Sequence, residues 1–328
     1  MSSHCVPHLR AATAQHRLKP RDCVRIVWVV QLCLEAGVEA FKCATAAEVE
    51  LCLQAGARAA TWAYPTVNPA NIRRFVALAS RFPDAVITGM VDSPEGVAVW
   101  QAALTGAPTN IRLRIDLDPG LGRTGAPIGS PALALARDLA RLQRFDGWHV
   151  YDGHVGGLPE QRRDAVLAIA ARVRGLSETL AAEGIACDVI AGGSYTFNAW
   201  PHDLARYVSP GSWTYSSDQH DLELPELGWQ LAAFVMATVI SVHEGTATFD
   251  AGCKAISPDK PLAERFRWDG RIIKMNEEHT VVEATTLKVG DQVLLMPRHA
   301  CTTACMYSQA HVRSHGGWDL RAQLGSAR

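Results

Sequence analysis

Between Phe41 and Gly211 the chain repeats one pattern: a short apolar run, a turn, then a longer amphipathic stretch. The apolar runs are FKCAT (41–45), ATWAY (60–64), AVITGMVD (85–92), NIRLRIDL (110–117), GWHVYDGH (147–154), CDVIAGG (187–193) and ARYVSPG (205–211). Short runs of this kind, bounded by turn residues, predict strands. The stretches between them predict helices. Asn68-Pro69 supplies a cap and a first-turn proline for a helix reaching Phe82, and Ser93-Pro94 opens the next. Ser130 to Phe145 carries Leu and Ala at three and four spacing, and Leu158 to Gly184 is a long amphipathic stretch, continuous or broken, closed by glycine. Strands alternating with helices predict βα units and a parallel sheet. So many consecutive units favour a closed (β/α)8 barrel over an open doubly wound sheet. Val24 to Val30 (VRIVWVV), followed by QLCLEAG, is assigned as the remaining strand.

After residue 222 the pattern changes. FVMATVISVHE, GTATFDAG, HTVVEA, DQVLLMPRH and QAHVRSH are β-rich, and no long amphipathic helix interrupts them. The expected division is therefore a barrel over 1–222 and a β domain over 223–328.

Composition narrows the function. The 328 residues are 48% hydrophobic and 20% charged with a net charge of −1, so no polyanion or nucleic-acid partner is expected. No apolar run reaches membrane-spanning length. Nine cysteines at irregular spacing argue for a reducing compartment, and the cytoplasm is the expected location. The first 21 residues lack acids, a faint likeness to a transit peptide, but an irregular N-terminus is the preferred reading.

Candidate chemistry falls at the ends of the predicted strands. Gly192-Gly193-Ser194 and Gly211-Ser212 close two late strands, where backbone N–H groups and hydroxyls can cradle a phosphate; plain tight turns are the alternative. In PRHACTTACMY, His299 and Cys301 stand two apart, so an extended strand would present both on one face. Imidazole and thiolate suit a borderline-soft divalent metal, with water or substrate completing the set. A buried thiol beside a rim histidine is the alternative.

Nine segments in order, FKCATAAEVEL, AYPTVNP, IDLDPGLGRTG, HVYDGH, AGGSYTF, SPGSW, FDAGCKAIS, EEH and PRHACTT, carry a resemblance. The chain resembles the D-threonine aldolase and D-serine dehydratase family, pyridoxal phosphate enzymes with an alanine racemase-type barrel followed by a β domain. FKCAT and HVYDGH are closer to its aldolase-like branch. The resemblance implies that Gly192, Gly193, Ser194, Thr196, Gly211 and Ser212 hold the cofactor phosphate. It implies that Arg123 and Tyr151 line the cofactor and substrate pocket. His299 and Cys301 would hold a divalent metal, zinc or manganese, and the site would form in a homodimer. The implied activity is cleavage of D-β-hydroxy amino acids to glycine and an aldehyde. Dehydration, racemisation and non-catalytic cofactor binding are the alternatives.

One departure stands out. The family's imine-forming lysine precedes the segment matched by Gly37, yet no lysine occurs from residue 20 to 41. Ungapped from Gly37, the family's two lysines fall at Asp22 and Arg25, and residues 1–28 are unlike the family, which favours a true start further upstream. Lys19 and Lys42 are the substitutes nearest in sequence. Lys42 and Cys43 must point to opposite faces of their strand. Lys42 is read as an exterior strand lysine or the partner of a barrel carboxylate. Cys305 is a further metal-ligand candidate more simply read as a buried thiol. Glu277, Glu278 and His279 are read equally as outer partners of a metal or as a solvated turn, and Lys254 as a rim charge.

Overall fold

Alternation along parallel strands decides what each strand shows to its helices and what it keeps for the interior of the sheet. The protein's computed structural model describes residues 17–18, 26–314 and 316–324. Two compact units divide at Gly211 and Ser212. The first contains β1 (Arg17–Leu18), α1 (Val27–Glu35), β2 (Phe41–Cys43), α2 (Ala46–Gln54), β3 (Ala59–Trp62), α3 (Pro69–Arg81), β4 (Val86–Val91) and α4 (Pro94–Leu104). It continues through β5 (Ile111–Asp118), β6 (Ala126–Pro127), α5 (Ser130–Arg141), β7 (Phe145–Val150), α6 (Pro159–Ala182), β8 (Asp188–Ala191) and β9 (Tyr207–Val208). The strand order β1-β9-β8-β7-β5-β4-β3-β2 is all parallel and brings the first strand round beside the last, the order of a (β/α)8 barrel. Among the described residues no ladder joins β1 to β2.

Local signals account for the helices. The side chains of Thr45, Asn68 and Ser93 accept N–H bonds in the first turns of α2, α3 and α4. The stretch from 158 to 184 forms one unbroken helix, α6, whose stripe of Val166, Ile169, Ala170, Val173, Leu176 and Leu180 is buried. One expectation fails: VRIVWVV is not a strand. From Val27 it is the start of α1, where Val29, Val30 and Cys33 are buried on one side and Val27 is exposed. Its β-branched composition suits either element, and the three-four spacing of the buried positions selects the helix. Arg17–Leu18 pairs with Tyr207–Val208 instead. Val24 and Arg25 lie outside the described residues, as do Lys19 and Asp22.

The helix-facing side of the sheet is apolar. Trp100 of α4 lies over Gly89 of β4, where a Cβ would stand 2.5 Å from its ring and 3.1 Å from Leu113. The opposite side, in register across the strands, carries Lys42, Thr61, Thr88, Arg114, Asp116 and His149, all buried. A bulge in β7 adds one position to this strand and keeps the phase on both sides of it. Leu113 pairs with Phe145 but Arg114 with Gly147, so Asp146 is the extra residue. Gly147 has φ +116, and a Cβ there would collide with the backbone of Asp188 on β8.

The second unit contains α7 (Asp218–Glu223), β10 (Val235–His243), β11 (Thr246–Phe249), β12 (Phe266–Arg267), β13 (Ile272–Met275), β14 (Thr280–Glu283), β15 (Gln292–Pro297), α8 (Ala300–Ala304), β16 (Gln309–Ser314) and β17 (Gly317–Ala322). Six strands form an antiparallel sheet in the order β12-β15-β10-β11-β14-β13, and β16 and β17 make a separate hairpin. Its core is Val235, Ala237, Val239, Phe249, Ile256, Phe266, Val282 and Leu295. Arg298 and Arg267 both clamp Asp218, fixing α7 against β12 and β15. Among the described residues no helix is long and apolar enough to cross a membrane.

Gly147→Ala combines a positive φ with a backbone clash and is expected to cost on the order of 3 kcal/mol, read as a lower urea midpoint. Gly175, exposed within α6 and with open space around it, is the control. Gly175→Ala is expected to raise stability by roughly 0.5–1 kcal/mol in the same experiment.

Candidate functional site

Chemistry gathers where β7, β8 and β9 end. β7 runs on into Tyr151 and Asp152. Asp152 is buried; one carboxylate oxygen accepts from Thr196 Oγ1 at 2.7 Å, the other from Trp200 Nε1 at 2.8 Å. Burial pushes its carboxyl above the ordinary range, against the pull of Thr196, Trp200 and the charge of Lys42. Thr196 Oγ1 also accepts from Gly193 N at 3.1 Å, and the carbonyl of Gly193 accepts from Phe197 N at 3.0 Å. The turn from Gly192 to Phe197 is thereby closed on itself and tied to β7. Gly192 has φ +72, and a Cβ on Gly193 would stand 3.0 Å from the Tyr151 ring, so both positions favour glycine.

The neighbouring strand end is tied to the same turn. Ser209 Oγ donates to the Gly192 carbonyl at 2.8 Å, and Gly211 N donates to Ser194 Oγ at 3.4 Å. Gly192, Gly193, Ser194, Thr196 and Gly211 are thus brought together in the first unit. Ser212 opens the second unit, where its carbonyl accepts from Ser216 N. The Thr196 hydroxyl is turned inward to Asp152 and shapes the turn.

Lys42 is not on the exterior. Its side chain is 1% exposed and lies on the inner face of the sheet, with Nζ 2.7 Å from Ser209 Oγ, 3.2 Å from His149 Nε2 and 5.5 Å from the Tyr151 ring centre. The period of two on β2 explains the correction: Cys43 takes the helix-facing side, 3.7 Å from Cys52 of α2, which leaves the interior to Lys42. Behind His149, Nδ1 meets Asp116 Oδ1 at 2.6 Å, and Thr124 Oγ1 donates to Asp116 Oδ2 at 2.8 Å.

Arg123 sits in the loop after β5. Its guanidinium lies over the Tyr151 ring at 4.8 Å and over Tyr64 at 5.4 Å. Asp118 shapes the loop by accepting from Gly120 N at 2.9 Å and Gly122 N at 3.1 Å. Partial burial pushes the Asp118 carboxyl up, but the N–H groups of Gly120, Gly122 and Leu121 outweigh it and hold it below its usual range.

His299 and Cys301 lie in the second unit, but not on a strand. β15 stops at Pro297, His299 caps α8, and Cys301 is in its first turn. A hydrogen bond joins the two side chains all the same, and His299 Nδ1 meets Asp259 Oδ2 at 2.5 Å. Burial lowers the His299 imidazole, but Cys301 and Asp259 together raise it. His220, also in this unit, is lowered to about 4 by burial and then by the charge of His299. Cys305 Sγ donates to the Cys301 carbonyl at 3.0 Å. Glu277 and Glu278 pair with Lys254, and all three are exposed. Among the described residues no group of three or more His, Cys, Asp or Glu is arranged to hold a metal.

Sequence reasoning places Asp116 and Ser209 at strand ends but missed Tyr64, Trp200 and the pairing of Asp116 with His149. For the pair a signal existed: strands of a covered parallel sheet read as nearly continuous apolar runs, yet NIRLRIDL places charged residues at alternate positions and GWHV interrupts its run with a histidine.

The chain is similar to known proteins. Residues 22–219 match the family profile described as "Alanine racemase, N-terminal domain", and residues 232–313 match "Putative serine dehydratase domain". The chain is 29% identical over 268 residues to a 3-hydroxy-D-aspartate aldolase of Paracoccus denitrificans (strain Pd 1222), covering 76% of this chain and 68% of that one. It is 28% identical to a D-threonine aldolase of an Arthrobacter species, covering 67% and 62% of the two chains. The crystal structure of D-threonine aldolase from Filomicrobium marinum superimposes with a TM-score of 0.86 at 22% identity, covering 97% of this chain and 92% of that one. With its family profile spanning more than half of its length, the chain belongs to the alanine racemase N-terminal domain family.

Proposed function

We propose that the protein is a pyridoxal phosphate-dependent lyase acting on D-β-hydroxy amino acids, cleaving them to glycine and an aldehyde in the manner of a D-threonine aldolase. The observation that carries this reading is the turn from Gly192 to Thr196 at the C-terminal edge of the sheet, held by Asp152 through Thr196 and by Ser209 through the Gly192 carbonyl, with Trp200 fixing the Asp152 carboxylate. A phosphate needs close backbone approach, and the two glycines with the Ser194 hydroxyl offer it there. Gly211 contributes the second rim, and Ser212 follows it directly in the chain. The aromatic face of Tyr151 beside Gly193 suits a flat pyridine ring.

Bound pyridoxal phosphate supplies an electron sink for the substrate Cα. The remaining work belongs to the chain. Arg123, stacked on Tyr64 and Tyr151, has its guanidinium plane fixed while its N–H edge is left to orient a substrate carboxylate. His299 and Cys301 are the donors proposed for a divalent metal, zinc or manganese. Asp259 on Nδ1 is the carboxylate that fixes a ligating imidazole. Two protein donors require water or substrate oxygen to complete the set. A homodimer in the cytoplasm is the proposed working form.

Two experiments test the reading. Fluorescence titration of the protein with pyridoxal phosphate should show binding that inorganic phosphate competes away. Asp152→Asn, which puts an N–H donor against Thr196 or Trp200, is expected to weaken that binding by about 1–3 kcal/mol, or roughly 5- to 150-fold. Product analysis with D-threonine and 3-hydroxy-D-aspartate should show aldehyde and glycine. Ammonia release would instead indicate a dehydratase, and an inverted amino acid a racemase. Arg123→Lys, which loses the planar fork, is expected to lower kcat/KM by about tenfold or more, chiefly through KM.

A further inference from the structure

We infer that Lys42 is the lysine whose Nζ bonds covalently to the cofactor aldehyde, and that the Asp116–His149 pair prepares it. This inference rests on the pyridoxal phosphate reading above. The chain has six lysines, and only Lys19 and Lys42 precede Gly211. Lys42 is the one among the described residues that shares a unit with the Gly192 turn, and a single hydroxyl, that of Ser209, separates its Nζ from the Gly192 carbonyl.

The hydrogen bonds assign donors and acceptors. Ser209 Oγ gives its proton to the Gly192 carbonyl, so it accepts from Nζ. Thr124 donates to one oxygen of Asp116, and the other faces His149 Nδ1 at 2.6 Å. Nδ1 therefore carries the proton, and Nε2 presents its lone pair to Nζ at 3.2 Å. This is the arrangement of an activated nucleophile: amine, adjacent base, and a carboxylate that orients the base. It is built from three strands, β2, β7 and β5, and each member is almost fully buried.

The step balances. The ammonium of Lys42 passes one proton to His149 Nε2. The freed amine adds to the aldehyde carbon, and the carbonyl oxygen leaves with the two remaining amine protons as one water. A C=N bond replaces the C=O bond, and Asp116 balances the charge held on His149. Asp116 and His149 act through Lys42 and are positioning residues.

The experiment uses the full chain. The protein is incubated with pyridoxal phosphate, reduced with borohydride, digested, and mapped by peptide mass spectrometry. The expected result is one phosphopyridoxyl group, on the peptide containing Lys42. Lys42→Arg should lose the label while still binding the cofactor in the fluorescence titration. His149→Gln should slow trapping by about a hundredfold with cofactor affinity unchanged, whereas a role confined to packing would change affinity instead. A label on Lys19 or any other lysine overturns the inference, and so does retained cofactor with no label. Failure of the unaltered protein to bind pyridoxal phosphate overturns the cofactor reading itself, and this inference with it.

Discussion

Asp152 is the residue on which the mouth of the sheet depends. A carboxyl group taken out of water is costly unless its oxygens are used, and both are: one by Thr196, the other by Trp200. The Thr196 bond holds the Gly192 turn, the Trp200 bond fixes the carboxylate itself, and the turn accepts Ser209, which accepts Lys42. A group so buried is retained because its partners surround it, so the floor of the site has one arrangement. Arg123 and Tyr151 complete it from the side, each fixed by stacking.

The interior of the sheet is unusual for parallel strands. Lys42, Arg114, Asp116 and His149 are all buried on one face. Arg114 is met by Asp146 at 2.8 Å and by the Trp148 carbonyl, so its charge is compensated near the opening bulge of β7. Lys42 and Asp116 compensate each other through His149. The two groups form separate polar layers within one sheet, and the apolar helix-facing side supplies the burial that stabilises it.

Much of this architecture was readable in the residues. The seven apolar runs form β2, β3, β4, β5, β7, β8 and β9, because each combined strand composition with a turn at its end. The Gly-Gly-Ser turn was readable for the same reason: glycine is needed where a Cβ would meet Trp200 or Tyr151. VRIVWVV was misread because a buried helix and a buried strand share its composition. His299 and Cys301 were given a strand by spacing alone, while Pro297 ends β15 and the small residues after it turn into a helix. The Asp116–His149–Lys42 chain escaped for a different reason. Its members are joined across strands, 33 and 107 residues apart, and local periodicity carries no information about such pairs.

The extra residue in β7 shows where this strand accommodates a change of length. On both sides of Asp146 the ladder with β5 keeps one phase: Phe145 faces Leu113, Gly147 faces Arg114 and Trp148 faces Ile115. The bulge absorbs the added position without turning later side chains over, so Trp148 still meets Ser177 of α6 and His149 still meets Asp116 inside. What the added residue brings is a carboxylate on Arg114 at the entrance to the strand. A one-residue change of length at this point therefore alters the partner of Arg114 and leaves the interior histidine in place.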